Sequence, residues 1–281
     1  MKPSVLITGC SSGIGKHCAH QLHQAGYQVF ATARQPQHVE QLKQEGLLAL
    51  QLDLDSPASI QQAVDQVLEI TGGRLDALFN NGAYGQPGAV EDLSRDVLRA
   101  QFETNLFGWV ELTNRVLPVM RQQGSGRIIM NSSVLGLVAM PYRGAYNASK
   151  FALEGITDTY RQELKGSGIQ ISLIEPGPIS SAFRQNALTA FKCHIPIEQS
   201  AHKQIYQGVL NRLSDNNPDS GRFTLPPEAV FKALRHALES SRPKARYYVT
   251  VPTYVLGYLK RLLPTAWLDS LLCRASEKEN R

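Results

Sequence analysis

The sequence predicts an α/β protein, a doubly wound parallel sheet in a single domain with a substrate lid and a C-terminal helical tail. Three observations predict it. Short strands that are apolar throughout alternate with helical stretches, the pattern of a parallel sheet covered on both faces. A glycine-rich turn joins the first strand to the first helix. The 281 residues suffice for one large core, and no linker separates a second domain.

The elements follow in order. Val5-Leu6-Ile7 reads as a buried strand, and a helix over 13–24 stops before Gly26. Val29-Phe30-Ala31 is the second strand, 47–52 the third and 75–79 the fourth. Ile128-Ile129-Met130 is the fifth and 169–174 the sixth. Helices are predicted over 58–70, 98–120 and 145–165 from apolar residues at helical spacing. Residues 1–180 form the cofactor-binding and catalytic core, since ligands of such sheets bind at the carboxyl ends of the strands. Residues 181–225 read as an irregular lid, punctuated by Asn216-Asn217-Pro218 and Ser220-Gly221. Residues 226–281 hold a last helix over 227–239, a strand at Tyr247-Tyr248-Val249 and an apolar, basic tail.

Composition removes several classes. Hydrophobic residues make up 42% and charged residues 19%, which is globular rather than disordered. The uncharged runs 128–142 and 247–259 are too short to span a bilayer, and no signal peptide is expected. The four cysteines are scattered without a CxxC pair, which argues against a disulfide framework or zinc module and for a reduced cytoplasmic setting. His17, His20 and His23 drift around their helix, so no metal site is expected. The formal charge is +5, and residues 242–281 carry eight bases against three acids. The excess therefore belongs to the tail. With the rest balanced and no basic–aromatic interleaving, no nucleic-acid partner is expected.

Thr8-Gly9-Cys10-Ser11-Ser12-Gly13-Ile14-Gly15 follows the first strand and opens the first helix. Glycines allow close approach to a pyrophosphate, and a helix N-terminus offers free N–H groups. Gly9, Ser11, Ser12, Gly13, Ile14 and Gly15 are thus candidate cofactor residues. Arg34 ends the second strand, where dinucleotide folds read the adenosine ribose. A guanidinium there can chelate a 2′-phosphate, which favours NADP(H) over NAD(H), and Lys16 adds charge nearby.

With Asp53, Asn80-Asn81-Gly82-Ala83, Ser132-Ser133, Tyr146-Asn147-Ala148-Ser149-Lys150 and Pro176-Gly177-Pro178-Ile179 in order, the chain resembles the short-chain dehydrogenase/reductase family. The family normally reads Asn-Asn-Ala-Gly where this chain has Asn-Asn-Gly-Ala. The stretch 126–150 with Ile174 to Ile179 is similar to the bacterial YbbO-type NADP-dependent aldehyde reductases, and more distantly to retinol and 17β-hydroxysteroid dehydrogenases. The resemblance implies that Asp53 and Leu54 meet the adenine, and that Asn81, Gly82 and Ala83 meet the adenosine side. It implies that Pro176, Gly177 and Ile179 shape the loop against the nicotinamide, that Lys150 also binds the nicotinamide ribose, and that Asn105 joins a proton relay. It further implies a homodimer or homotetramer through the helices over 98–120 and 145–165.

The reacting chemistry can be argued from the residues. Tyr146 and Lys150 are one helical turn apart and share a face. A free tyrosine titrates near 10, and a nearby ammonium is expected to lower that value, making Tyr146 a proton donor to a carbonyl oxygen or an acceptor in reverse. Ser133 can hydrogen-bond the same oxygen. Ser133, Leu135, Tyr142, Tyr146 and Phe183 are the candidate substrate residues, with Phe191 and Tyr206 either lining an apolar slot or packing the lid's own core. The expected partner is a small lipophilic carbonyl or alcohol. Two alternatives stand beside aldehyde reduction: a hydroxysteroid- or retinol-type dehydrogenase working oxidatively, and a non-catalytic NADP-binding sensor. For the tail, a basic amphipathic helix at 254–263 can touch the inner membrane face peripherally or dock on the lid or a second subunit.

Overall fold

The computed structural model describes residues 2–215 and 223–280; the turn signals at 216–218 and 220–221 lie outside the described residues. The first half runs β1 (Ser4–Ile7), α1 (Gly13–Gln24), β2 (Gln28–Ala33), α2 (Pro36–Gln44), β3 (Leu48–Gln51), α3 (Pro57–Thr71), β4 (Ala77–Asn80), α4 (Arg95–Phe102), α5 (Gly108–Gln123) and β5 (Gly126–Asn131). It continues with α6 (Gly144–Glu163), β6 (Ile169–Glu175), α7 (Phe183–His194), α8 (Lys203–Ser214), α9 (Glu228–Glu239), β7 (Arg246–Tyr248), α10 (Val251–Leu262) and α11 (Thr265–Glu279).

Among the described residues the strands form one sheet, ordered β3-β2-β1-β4-β5-β6-β7, with every pairing parallel. The order reverses between β1 and β4, which opens a crevice at their carboxyl ends. Ile7 sits in register with Ala31 of β2 and Phe79 of β4. Alternate residues of each strand serve opposite faces. Val5 and Ile7 pack with Ala19 and Leu22 of α1 and Val230 and Leu234 of α9. Leu6 packs on the other face with Val64 of α3 and Trp109 and Leu112 of α5. Each fully buried aliphatic side chain contributes about 2 kcal/mol.

The structure departs from the sequence reading in four places. The helix expected over 98–120 is interrupted at Glu103–Phe107 by a π-helical turn, which places Asn105 inward between α4 and α5. Such turns tend to mark functional positions. α2 escaped the periodicity because it buries only Val39 and Leu42. The described part of the lid is not irregular: α7 and α8 pack Phe191, Tyr206 and Val209 into a small core of their own, with Ala89, Leu93 and Ala145. The tail holds two helices rather than one, and Leu268 and Leu272 of α11 pack with Val138 beside the site.

Candidate active site

Two loops meet at the crevice. Thr8 Oγ1 accepts the backbone N–H groups of Asn81 and Gly82, both at 2.8 Å. Asn81 Nδ2 donates to the Thr8 carbonyl at 2.9 Å, and Trp109 Nε1 donates to the Gly82 carbonyl at 2.8 Å. These bonds clamp the glycine turn against the end of β4. The turn needs glycine. Gly9 has φ +72°, and a Cβ there would stand 2.5 Å from Gly82 Cα. A Cβ on Gly15 would stand 2.3 Å from the Gly9 carbonyl oxygen. The backbone is thus bare where α1 begins, and the Ser12 side chain makes no capping bond there. Free N–H groups at a helix start and a cradle that a Cβ would fill suit a pyrophosphate. The residues fit a dinucleotide.

One cavity of about 970 Å³ runs from this turn to the lid. It is lined by Gly9, Ser11, Ser12, Gly13, Ile14, Asn81, Gly82 and Ala83 at one end, and by Ser133, Leu135, Tyr146, Lys150, Pro176, Gly177, Ile179 and Phe183 beyond it. Gly15, Arg34, Asp53 and Leu54 lie outside that lining. Arg34 is exposed just after β2, with no ion pair among the described residues, and Asp53 follows β3 on the neighbouring strand end. Lys16 does not join Arg34: its ammonium is paired with Glu45 at 2.7 Å.

Tyr146, Lys150 and Ser133 converge on the cavity from α6 and the end of β5. Lys150 is 1% exposed; its Nζ donates to the Asn131 carbonyl at 2.8 Å and lies 4.4 Å from the Trp109 ring centroid. Burial pulls the ammonium down to about 7, with Glu154 opposing. Burial pushes the Tyr146 phenol up to about 12, with a hydrogen bond to Ser133 opposing. The lowering expected from Lys150 is not seen: burial, opposed only by Ser133, sets the direction, and Tyr146 is a neutral phenol with its proton to give. The Phe183 ring packs edge-on against Tyr146 at 5.3 Å.

Several candidate residues sit elsewhere. Asn105 is fully buried and does not line the cavity; its Nδ2 donates to the Tyr84 carbonyl at 2.8 Å and to Ser149 Oγ at 3.3 Å, and its Oδ1 accepts the Tyr84 N–H at 3.1 Å. It braces the loop after β4 rather than reaching Lys150. Tyr142 does not line the cavity either. It adopts φ +61°, its carbonyl accepts the Gly88 N–H at 2.9 Å, and its ring packs on His202 and Tyr206. A non-glycine residue held in that region is strained, and here the lid core holds it. Tyr206 and Phe191 are fully buried in that core, and the Tyr206 hydroxyl donates to Asp92 while accepting the Ala89 N–H at 2.9 Å. Sequence reasoning missed Asn131, which lines the cavity and donates from Nδ2 to Asn81 Oδ1 at 2.9 Å. Its only signal was its place before Ser132-Ser133. For the tail it offered docking of 254–263 on the lid as one reading; Leu256 lines the cavity, and so do Leu271, Leu272 and Glu279, which no local pattern foretold.

A doubly wound sheet with a clamped glycine turn at its switch point and a Ser–Tyr–Lys group beside it defines a nicotinamide-nucleotide-dependent oxidoreductase. The model of short chain dehydrogenases matches residues 3–190, and the chain belongs to the short-chain dehydrogenase/reductase family. It is 44% identical over 272 residues to the uncharacterized oxidoreductase YbbO of Escherichia coli (strain K12), covering 97% of this chain and 94% of that one. It is 34% identical to retinol dehydrogenase 8 of Bos taurus, covering 94% and 87%. A short-chain dehydrogenase structure from Streptomyces avermitilis superposes with a TM-score of 0.74 at 26% identity, covering 99% and 95%.

Proposed function

We propose that the protein is an NADP(H)-dependent reductase of lipophilic aldehydes, with Tyr146 as the proton donor. The observation that carries it is the pairing of a neutral, Ser133-bonded Tyr146 with a buried Lys150 on the wall of a cavity that continues into apolar lid and tail residues. When bound, the nicotinamide supplies or accepts the hydride. The chain's own groups do the rest. Ser133 and Tyr146 hold the carbonyl oxygen, Tyr146 gives it a proton, and Lys150 and Asn131 fix that edge of the site. Leu135, Phe183 and Leu256 exclude water and suit an alkyl chain.

The NADP preference rests on Arg34, exposed and without an ion pair among the described residues at the end of β2. The Ser133, Tyr146 and Lys150 group serves reduction and oxidation alike, and an intact proton donor argues against a sensor. No described helix is long and apolar enough to cross a membrane. A cytoplasmic setting agrees with four unpaired cysteines, and a homodimer or homotetramer through α5 and α6 agrees with exposed Phe107 and Phe151.

The test is oxidation of NADPH against NADH with straight-chain aldehydes from butanal to dodecanal. The reading expects NADPH to be preferred and kcat/KM to rise with chain length. Tyr146→Phe should lower kcat about a hundredfold or more. A flat chain-length profile, or full turnover by the variant, refutes it.

A further inference from the structure

The cavity does not end in apolar walls. On its lid and tail side it is lined by Arg184 and Arg212, with Asp215 and Glu279 of α11, and Arg143 joins them from the start of α6. Arg143 caps α6 three residues before Tyr146, about 5 Å of helix rise from the proton donor. Arg184 follows Phe183, whose ring touches Tyr146. The three arginines therefore line the same cavity as the reacting group.

These charges are not balanced as a surface network would be. Glu279 Oε2 accepts from Arg143 and lies 3.5 Å from Arg212 Nη1, so one carboxylate oxygen serves two guanidiniums. Arg184 has no ion pair among the described residues. Arg212 is half-buried, and its Nε is buried without a hydrogen-bond partner. A buried donor left unpaired is unfavourable, and a ligand oxygen would satisfy it. Burial and repulsion from Arg143 and Arg184, against the attraction of Glu279, pull the Arg212 guanidinium down to about 9. Three guanidiniums facing two carboxylates leave a net positive charge, with unspent donors, where a purely apolar substrate would offer nothing to pair them.

We propose that this end of the cavity is an anion subsite. It takes a carboxylate or phosphate monoester carried at the far end of the substrate whose carbonyl lies at Tyr146. The ligand class is then an amphiphile: a carbonyl at one end, an apolar stretch against Phe183 and Leu256, and an anion on Arg212 and Arg184. Guanidiniums suit both oxyanions because their paired N–H groups match two oxygens at once. Glu279 acts as an internal competitor, holding Arg212, which the ligand would use, together with Arg143. This inference rests on the reductase reading for the carbonyl end, but the anion end can be tested without a carbonyl.

The experiment titrates the NADP⁺-loaded protein calorimetrically with decanol, decanoate and decyl phosphate. Wild type should bind the anions about tenfold or more tightly than the alcohol. Arg184→Gln and Arg212→Gln should each lower that preference. Glu279→Gln should raise it, a gain that a misfolded variant cannot imitate. The stronger of decanoate and decyl phosphate identifies the oxyanion. Equal binding of the three probes by wild type, or a preference that survives both arginine variants and does not rise in Glu279→Gln, overturns the subsite. In parallel, kcat/KM for decanal is compared with that for its ω-carboxylate and ω-phosphate analogues. No turnover of any of them alongside tight anion binding would refute the reductase reading and leave the subsite standing. Turnover without anion preference would do the reverse.

Discussion

Replacing Lys150 by methionine should change how stability depends on pH. In the folded protein burial brings the Lys150 ammonium from 10.5 to about 7. Below that value both folded and unfolded chains hold the proton, and the cost of burying the charge is fully present. Between about pH 7 and 10.5 the unfolded chain holds a proton that the folded chain has released, so wild-type stability rises with pH. The slope is about 1.4 kcal/mol per pH unit, and from pH 7 to 9 the gain is about 2–3 kcal/mol. Glu175 titrates with the opposite sign. Burial and Glu154 push its carboxyl upward, so it stays protonated in the folded chain after the unfolded one has lost the proton, and its contribution falls as pH rises. Lys150→Met retains Glu175, so subtracting the variant's curve from the wild-type curve isolates Lys150. Urea unfolding followed by far-ultraviolet circular dichroism, at half-unit steps from pH 6.5 to about 9.5, measures both. Parallel curves would mean that Lys150 keeps an ordinary pKa in the fold, and the account of desolvation at this site would be wrong. The variant should also be inactive, which separates the linkage effect from any gain in stability it brings.

Other consequences can be checked with less effort. In Gly15→Ala the new methyl meets the Gly9 carbonyl oxygen at 2.3 Å and Asn81 Nδ2 at 2.6 Å, inside the clamp between the two loops. It should cost about 1–3 kcal/mol in urea unfolding and weaken NADPH binding in a fluorescence titration; wild-type values of both would contradict the cradle. Arg34→Ala should raise the KM for NADPH about tenfold, leave that for NADH in place, and shift stability by less than about 0.5 kcal/mol. A parallel rise for both nucleotides would remove Arg34 as the phosphate reader. Val251, Tyr254, Val255, Tyr258 and Leu262 form one exposed stripe on α10, next to Arg261 and the exposed Trp267. We expect the protein to pellet with anionic vesicles at low salt, and the Tyr258→Ser, Leu262→Ser double variant to stay in the supernatant. If wild type stays in the supernatant too, that stripe is not a membrane face.

What could be read from the sequence depended on the range of the interaction. The strands, the glycine turn and the Tyr146–Lys150 pair are short-range patterns, each held within about ten residues, and they survive folding unchanged. The titration of Tyr146 was misjudged because it depends on burial, which no spacing encodes. A lysine one turn away suggests a lowered value, while burial of the phenol gives the opposite direction. Tyr142 was misplaced for a related reason. Its position in the chain, four residues before Tyr146, points to the site, but its left-handed backbone turns the ring into the lid core. The π-helical turn at Asn105 likewise has no periodic signature, although it determines which way that side chain faces.

The basic tail shows the same limit most clearly. Counted along the chain, residues 242–281 carry the whole excess of +5 and look like one cationic appendage. Folding sorts those charges by partner. Arg246 enters the sheet edge and pairs with Glu154, Glu175 and Asp158 beneath the Lys150 helix. Lys260 lies 4.3 Å from the Phe151 ring centroid of α6. Glu279, one of only three acids in the segment, turns inward to Arg143 and Arg212. The tail thus gives up a carboxylate to the cavity and keeps Arg261, Arg274 and Lys278 outside it. Its outer face is more basic than the count suggests because its inner face closes the substrate end of the site. Docking of α11 therefore accounts both for the anion subsite and for the cationic rim of the exposed stripe on α10. A change that loosens α11 should weaken both together, whereas Glu279→Gln should strengthen only the first.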